Sequence, residues 1–500
     1  MSWESIAATK CLALKNSIPT EWVIPAAIFP PDDQLDVTTF PRESGMFTGR
    51  ELEILSTPAP KILSHLSSGS WTSEEVTKAF CKTAAAAQQL TNCLSEIFFD
   101  KAVTHAKELD AYFQETGKTK GPFHGLPISI KDNINIIGYD TTIGFTSLAN
   151  KPATHNSTII DSLLEAGAVF YCKTNVPTAM MIAETVNNLF GRTVNPLNRK
   201  LTTGGSSGGE SALIAFGGSR IGIGSDIGGS LRMPAACTGL FTIRPSSGRF
   251  PNFQSRACLE GQESVNGVSG PMAKTLEEIV LWSSIVVGQK PWIRDPKCVP
   301  IPWRSVETKK SLKIAVLWDD GVVTPTPPVA RALQETVEHL MTAGHEIINW
   351  APTKHMEMLG LLGRLFLADG GKSVRKLLEP TGEPFRPEMK PYEEAKEINV
   401  YGLWQIHVNR NALCKYYLDR WNEAGIDAIL SPTTPYSSVE NGKFDYAGYT
   451  CVWNLLDYPA VSFPCGVNAD KDIDTAYGDH QALTDLDAQV QRNCKWSIPN

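Results

Sequence analysis

The sequence predicts an α/β protein in which a β-sheet is sandwiched by helices. Three observations point there. Residues 312–350 read strand, helix, strand: an apolar LKIAVLW, an amphipathic stretch from about Pro328 to Ala343, then HEIINW. Short apolar runs bounded by turn residues recur at 126–130, 168–174 and 221–224, the pattern of strands buried on both faces. Around the last run lies a glycine-rich stretch at 204–236, GGSSGGESALIAFGGSRIGIGSDIGGSLRMPAA, where regular structure is interrupted and re-started. With 500 residues, 42% of them hydrophobic, the chain can bury a large core and has the length of two to three domain-sized units.

Taken in order, residues 1–70 form a helical N-terminal arm, with a first helix near Trp3–Leu14 followed by the proline-punctuated IPAAIFPPDDQLDVTTFP. Thr72-Ser-Glu-Glu75 has capping-box spacing, and Val76, Phe80, Cys81 and Ala84 follow at helical intervals. A second helix around Lys101–Glu115 puts Ala102, Ala106, Leu109 and Phe113 on one face. GPFHGLPISIKDNINIIGYDT (121–141) reads turn, buried strand, turn. Ser157–Gly167 is a compact helix with Ser157 as N-cap and Gly167 at C′. AVFYCKT (168–174) is a buried strand; Gly167–Thr174 misses a phosphate-binding loop because Cys172 stands where the second glycine belongs. Glu210–Phe216 is a short helix and Ile221–Gly224 a strand. Residues 351–425 are largely helical, and DAILSPTTP (427–435) and YPAVSFPCG (458–466) are short buried strands.

The chemistry-bearing residues sit in this frame. Ser206 and Ser230 are each flanked by glycines and lie 24 residues apart. Gly228-Gly229 would leave backbone N–H groups facing whatever Ser230 attacks, the layout of a nucleophile with its own oxyanion hole. Lys131 ends the apolar Leu126–Ile130 run, where an ammonium is costly unless paired or neutralised. On the run alone it simply reaches solvent; beside the two serine loops it reads as a proton acceptor. Met180 and Met181 are, by residue type, core side chains.

GGSSGG, the SDIGGSLRMP element 24 residues further on and the lysine of ISIKDN together resemble the amidase signature family of serine hydrolases. The resemblance spans roughly residues 70–470, and AAAAQQLTNC, GPFHGLPIS, ETVNNLFGRTVNP and GQESV bring it closest to fungal acetamidase-type amidases. It implies a mixed central β-sheet sandwiched by helices, with residues 71–500 as the amidase signature domain. It implies a nucleophilic Ser230, a Ser206 preceded by a cis peptide bond, and Lys131 as base. The N–H groups of Ile227, Gly228, Gly229 and Ser230 become the oxyanion hole, and Met180 lines the acyl side of the pocket. Ser207 hydrogen-bonds within the site, Asp226 and Arg232 orient the nucleophile loop from behind, and Ser225 stands where the family usually has Thr. One departure is expected: family members continue with a G-x-P strand and a closing helix, whereas QVQRNCKWSIPN shows neither, so an inactive amidase-like scaffold is the alternative to an amidase of monocarboxylic acid amides.

Other readings have less support. Gly204–Gly208 formally matches the G-x-S-x-G elbow of α/β-hydrolases, but a polar loop precedes it and the later histidines lie in ordinary contexts. The acetamidase-like segments argue against the A subunit of a glutamyl-tRNA amidotransferase. A net charge of −7 without a basic run excludes a nucleic-acid surface. Eleven scattered cysteines with no C-x-x-C pair point to reduced thiols rather than disulfides or zinc. No signal peptide and no membrane span are legible, so the expectation is a cytoplasmic enzyme with a small-molecule amide substrate. No metal or cofactor is implied, and a homo-oligomer is compatible with the sequence.

Overall fold

The computed structural model describes residues 1–307, 309–478 and 480–494. Ten strands matter here: β1 (Leu94–Ile97), β2 (Pro127–Lys131), β3 (Val169–Thr174), β4 (Ile221–Asp226), β5 (Phe241–Arg244), β6 (Val268–Ala273), β7 (Lys313–Val316), β8 (Glu346–Asn349), β9 (Ala428–Leu430) and β10 (Ala460–Ser462). Seven form a mixed central sheet in the order β1-β3-β2-β4-β6-β5-β10. β3, β2 and β4 run parallel and the other neighbours antiparallel. The parallel core explains the uninterrupted apolar runs, since β2 and β3 are buried at every position. The predicted strand–helix–strand unit forms a separate parallel sheet, β8-β7-β9, with helix Pro327–Thr342 as its crossover.

Helices cover the central sheet. Thr72 caps helix Ser73–Thr91 through both bonds of the predicted box, Glu75 N–H to Thr72 Oγ1 and Thr72 N–H to Glu75 Oε1, each 3.1 Å. Its buried face joins helix Phe99–Thr116 and Trp282 of helix Leu276–Gly288 in one large core. A second core gathers Trp350, Tyr417, Trp453 and Leu362 around helices His355–Phe366, Val400–Ala424 and Gly448–Leu456.

Several expectations change. Ser157 precedes helix Thr158–Glu165, but its hydroxyl accepts from Asn135 N–H (2.8 Å) and donates to Gln254 O (3.0 Å) instead of capping the helix. Those loop groups have no ladder partner and so claim the nearest hydroxyl. β9 is half-buried, and β10 is the sheet edge with Val461 48% exposed, so neither is the fully buried strand expected. Residues Gln489–Cys494, left without a helix by the sequence reading, end helix Asp485–Cys494. Val490 of that helix packs with Val322, Val323 and Tyr436, and Asp487 accepts from Thr324 Oγ1 at 3.0 Å.

Candidate active site

Parallel pairing of β2 with β4 aligns their C-terminal ends, which puts Lys131 beside Ser225 and Asp226. Helix Gly208–Phe216 packs against the same strands, so the Ser206–Ser207 turn that starts it lands over Lys131. Lys131 is fully buried. Its Nζ lies 2.7 Å from Ser206 Oγ, 2.9 Å from Ser225 Oγ and 3.3 Å from Ser225 O. Burial lowers its pKa to about 7, although Asp226, Glu210 and Asp132 all favour the charged form. The Gly205–Ser206 peptide bond is cis.

Ser230 follows β4 by four residues and is 7% exposed. With Ser206 it lines a cavity of about 590 Å³. Among the described residues its hydroxyl has no hydrogen bond, leaving it free toward the cavity. Its carbonyl accepts from Ser207 N–H at 3.2 Å, while Ser207 Oγ donates to Ser225 O (3.2 Å), so Ser207 ties the two serine turns together.

Asp226 organises the loop. Its oxygens accept from Gly229 N–H (2.9 Å), Leu231 N–H (3.1 Å), Arg232 Nε and Nη2 (3.1 Å each) and Asn454 Nδ2 (2.8 Å). Burial alone would raise this carboxyl, but the Arg232 guanidinium, with Arg244 and Asn454, holds it well below the usual carboxylate range. Arg232 also donates to Thr450 O (2.9 Å) and Asn454 Oδ1 (2.6 Å), fastening the loop to helix Gly448–Leu456. Because Gly229 N–H is engaged with Asp226, only the N–H groups of Ile227, Gly228 and Ser230 remain without a partner among the described residues. Gly229 has φ +127°, and a Cβ there would lie 2.1 Å from Thr450 Oγ1, so glycine is required.

Of the expected site residues, Met180, Ser206, Asp226, Ile227 and Ser230 line the cavity, whereas Lys131, Ser207, Gly228, Gly229 and Arg232 are not part of its lining. Much of the remaining wall comes from residues 250–268, including Arg256, Cys258, Leu259 and Val265, which the sequence reading did not assign. Asn133, two residues past Lys131 in the KDN triplet, also lines it; Thr450 and Asn454 carried no local signal at all. No histidine is in the wall among the described residues, and Ser206 follows a hairpin strand (Asn198–Thr202) outside the central sheet, so the hydrolase elbow has neither its base nor its strand.

A sequence model of the family described as Amidase matches residues 75–484. An acetamidase of Emericella nidulans is 42% identical over 98% of this chain and 91% of its own length. The chain belongs to the amidase signature family. An acetamidase of Aspergillus oryzae is 39% identical over 98% of the chain and 92% of its own length. A solved fatty acid amide hydrolase superposes with a TM-score of 0.94 at 34% identity, over 98% of this chain and 88% of that one. A bacterial aryl acylamidase shares the fold, with a TM-score of 0.72 at 22% identity over 82% and 90%. This amidase is therefore a hydrolase acting on amide C–N bonds. Among its described residues, no helix is long and apolar enough to cross a membrane, and no group of three or more His, Cys, Asp or Glu side chains is placed to hold a metal ion.

Proposed function

We propose that this amidase cleaves a monocarboxylic acid amide to carboxylate and ammonia through an acyl-enzyme on Ser230, with Ser206 and Lys131 as its proton relay. The observation that carries this reading is the buried Lys131, lowered to about 7 and 2.7 Å from Ser206 Oγ, with no carboxylate bonded to it among the described residues. A neutral lysine nitrogen has a lone pair, so at that distance Ser206 can donate to it. Ser230 attacks the amide carbonyl as its proton passes to Ser206 and the Ser206 proton to Lys131. Reversing the relay protonates the departing nitrogen, and water hydrolyses the ester. We assign the developing oxyanion to the N–H groups of Ile227, Gly228 and Ser230, which have no partner among the described residues, with Gly229 held by Asp226 to shape the turn.

The relatives' names favour small aliphatic amides. The cavity of about 590 Å³, with Met180, Met181 and Leu259 on its apolar side, has room for a considerably longer acyl group. Ten free cysteines among the described residues fit a reducing compartment, and we place the enzyme in the cytoplasm. The test is labelling with a fluorophosphonate probe, mapping the adduct by peptide mass, and turnover of a panel of amides graded by acyl length. An adduct on Ser230, lost in Ser230→Ala, is expected; full turnover by Ser230→Ala would overturn the assignment.

A further inference from the structure

Glu210 lies in the first turn of helix Gly208–Phe216, four residues past Ser206, and is fully buried. It presses on three strands at once. Ser129 Oγ on β2 and Thr174 Oγ1 on β3 hydrogen-bond its two oxygens, the latter at 2.6 Å. Gly222 on β4 comes so close that a Cβ there would lie 1.7 Å from Oε1. Ser129 is two residues before Lys131 and shares its face of the sheet, while Thr174 is the register partner of Lys131. No lysine or arginine bonds to this carboxyl among the described residues. A buried carboxylate without a bonded cation is costly to ionise.

The surrounding hydroxyls fit either charge state. Ser129 Oγ lies 2.9 Å from Ser219 Oγ, which itself donates to Ile221 O at 2.9 Å. With Glu210 ionised, Ser129 donates to it. With Glu210 protonated, the acid donates to Ser129, whose hydrogen turns to Ser219. One rotatable hydroxyl therefore satisfies both forms, as a group that changes its protonation requires.

We infer that Glu210 is a positioning residue that exchanges charge state with Lys131: ionised, it holds the proton on the lysine, and protonated, it frees the lysine to act as base. This rests on the reading of Lys131 as proton acceptor. Burial raises Glu210 to about 7 against the pull of Ser129, Thr174 and Lys131, into the range to which burial lowers the lysine. Asp132 and Asp226 also favour the charged lysine. Tyr171, Cys93 and Cys172, the other groups that feel Glu210, are pushed up by burial and stay neutral at pH 7.

The rate of inactivation by a fluorophosphonate, measured from pH 5 to 9, reads the acid limb set by Lys131. Glu210→Gln preserves the shape and hydrogen-bonding capacity but cannot ionise, so the limb should move to lower pH by about 0.5 to 1 unit. Ser129→Ala, which deprives the carboxylate of a donor, should move it the same way by less, and substitutes for Glu210→Gln if that variant does not fold. A merely structural role would lower the rate at every pH without moving the limb. An unmoved or upward limb in a folded variant overturns the exchange and leaves Lys131 as the base. A limb that survives in Lys131→Ala overturns both.

Discussion

Replacing Asp226 by Asn should disable the nucleophile loop without opening a cavity. The two side chains have nearly the same volume, so the change is electrical and directional. The Asp226 oxygens meet five donors: Gly229 N, Arg232 Nη2 and Asn454 Nδ2 on one, Leu231 N and Arg232 Nε on the other. An amide has only one oxygen, so its NH₂ must face two or three N–H groups that also donate. Arg232, 2% exposed, keeps Thr450 O and Asn454 Oδ1 but loses its counter-charge. Breaking a buried pair from one side costs about 3–5 kcal/mol. If the loop then releases its N–H groups, the rate should fall by about 10²–10³, as for loss of an oxyanion donor. The assays are the denaturant midpoint and the second-order rate of fluorophosphonate labelling. Arg232→Met should cost a similar amount, and the double variant much less than the two losses added, because no buried charge is then left alone. Asp226→Asn with wild-type midpoint and wild-type labelling would refute the reasoning.

Other outcomes follow from the same geometry. Labelling of Ser230 should rise with pH through about 7, because Lys131 accepts a proton only once it has lost its own. The same lowered pKa makes the unfolded chain, with an ordinary lysine near 10.4, bind more protons than the native one between about pH 7 and 10.4, so this group's contribution to stability rises with pH across that window. Lys131→Met should therefore gain more stability over wild type at pH 7 than at pH 9.5, by about 3 kcal/mol, read from parallel denaturant curves. Gly229→Ala should abolish labelling, since its Cβ would meet Thr450 Oγ1 at 2.1 Å in a backbone conformation that favours glycine; unchanged labelling would show that the turn is not held as described.

The sequence by itself determined many of the local elements and singled out the candidate catalytic residues. Uninterrupted apolar runs, helical spacing, the Thr72 capping box and the glycine-flanked serines are short-range features, written in consecutive residues. Ser206 and Ser230 were legible because glycines flank each of them, and Lys131 because it ends an apolar run and stands beside those two loops in the family resemblance. Helix Gly448–Leu456, β6 and the role of residues 250–268 as cavity wall were not, because no residue there carries a local chemical signal of a site, even where GQESV supports the family resemblance. Only the tertiary structure decided what holds the site. Asp226 and Asn454 are 228 residues apart yet 2.8 Å from each other, and Gly229 N–H is committed to Asp226 rather than to the cavity. It also decided the state of Lys131, since desolvation is a property of everything packed around a side chain, and no run of neighbours in sequence can specify it.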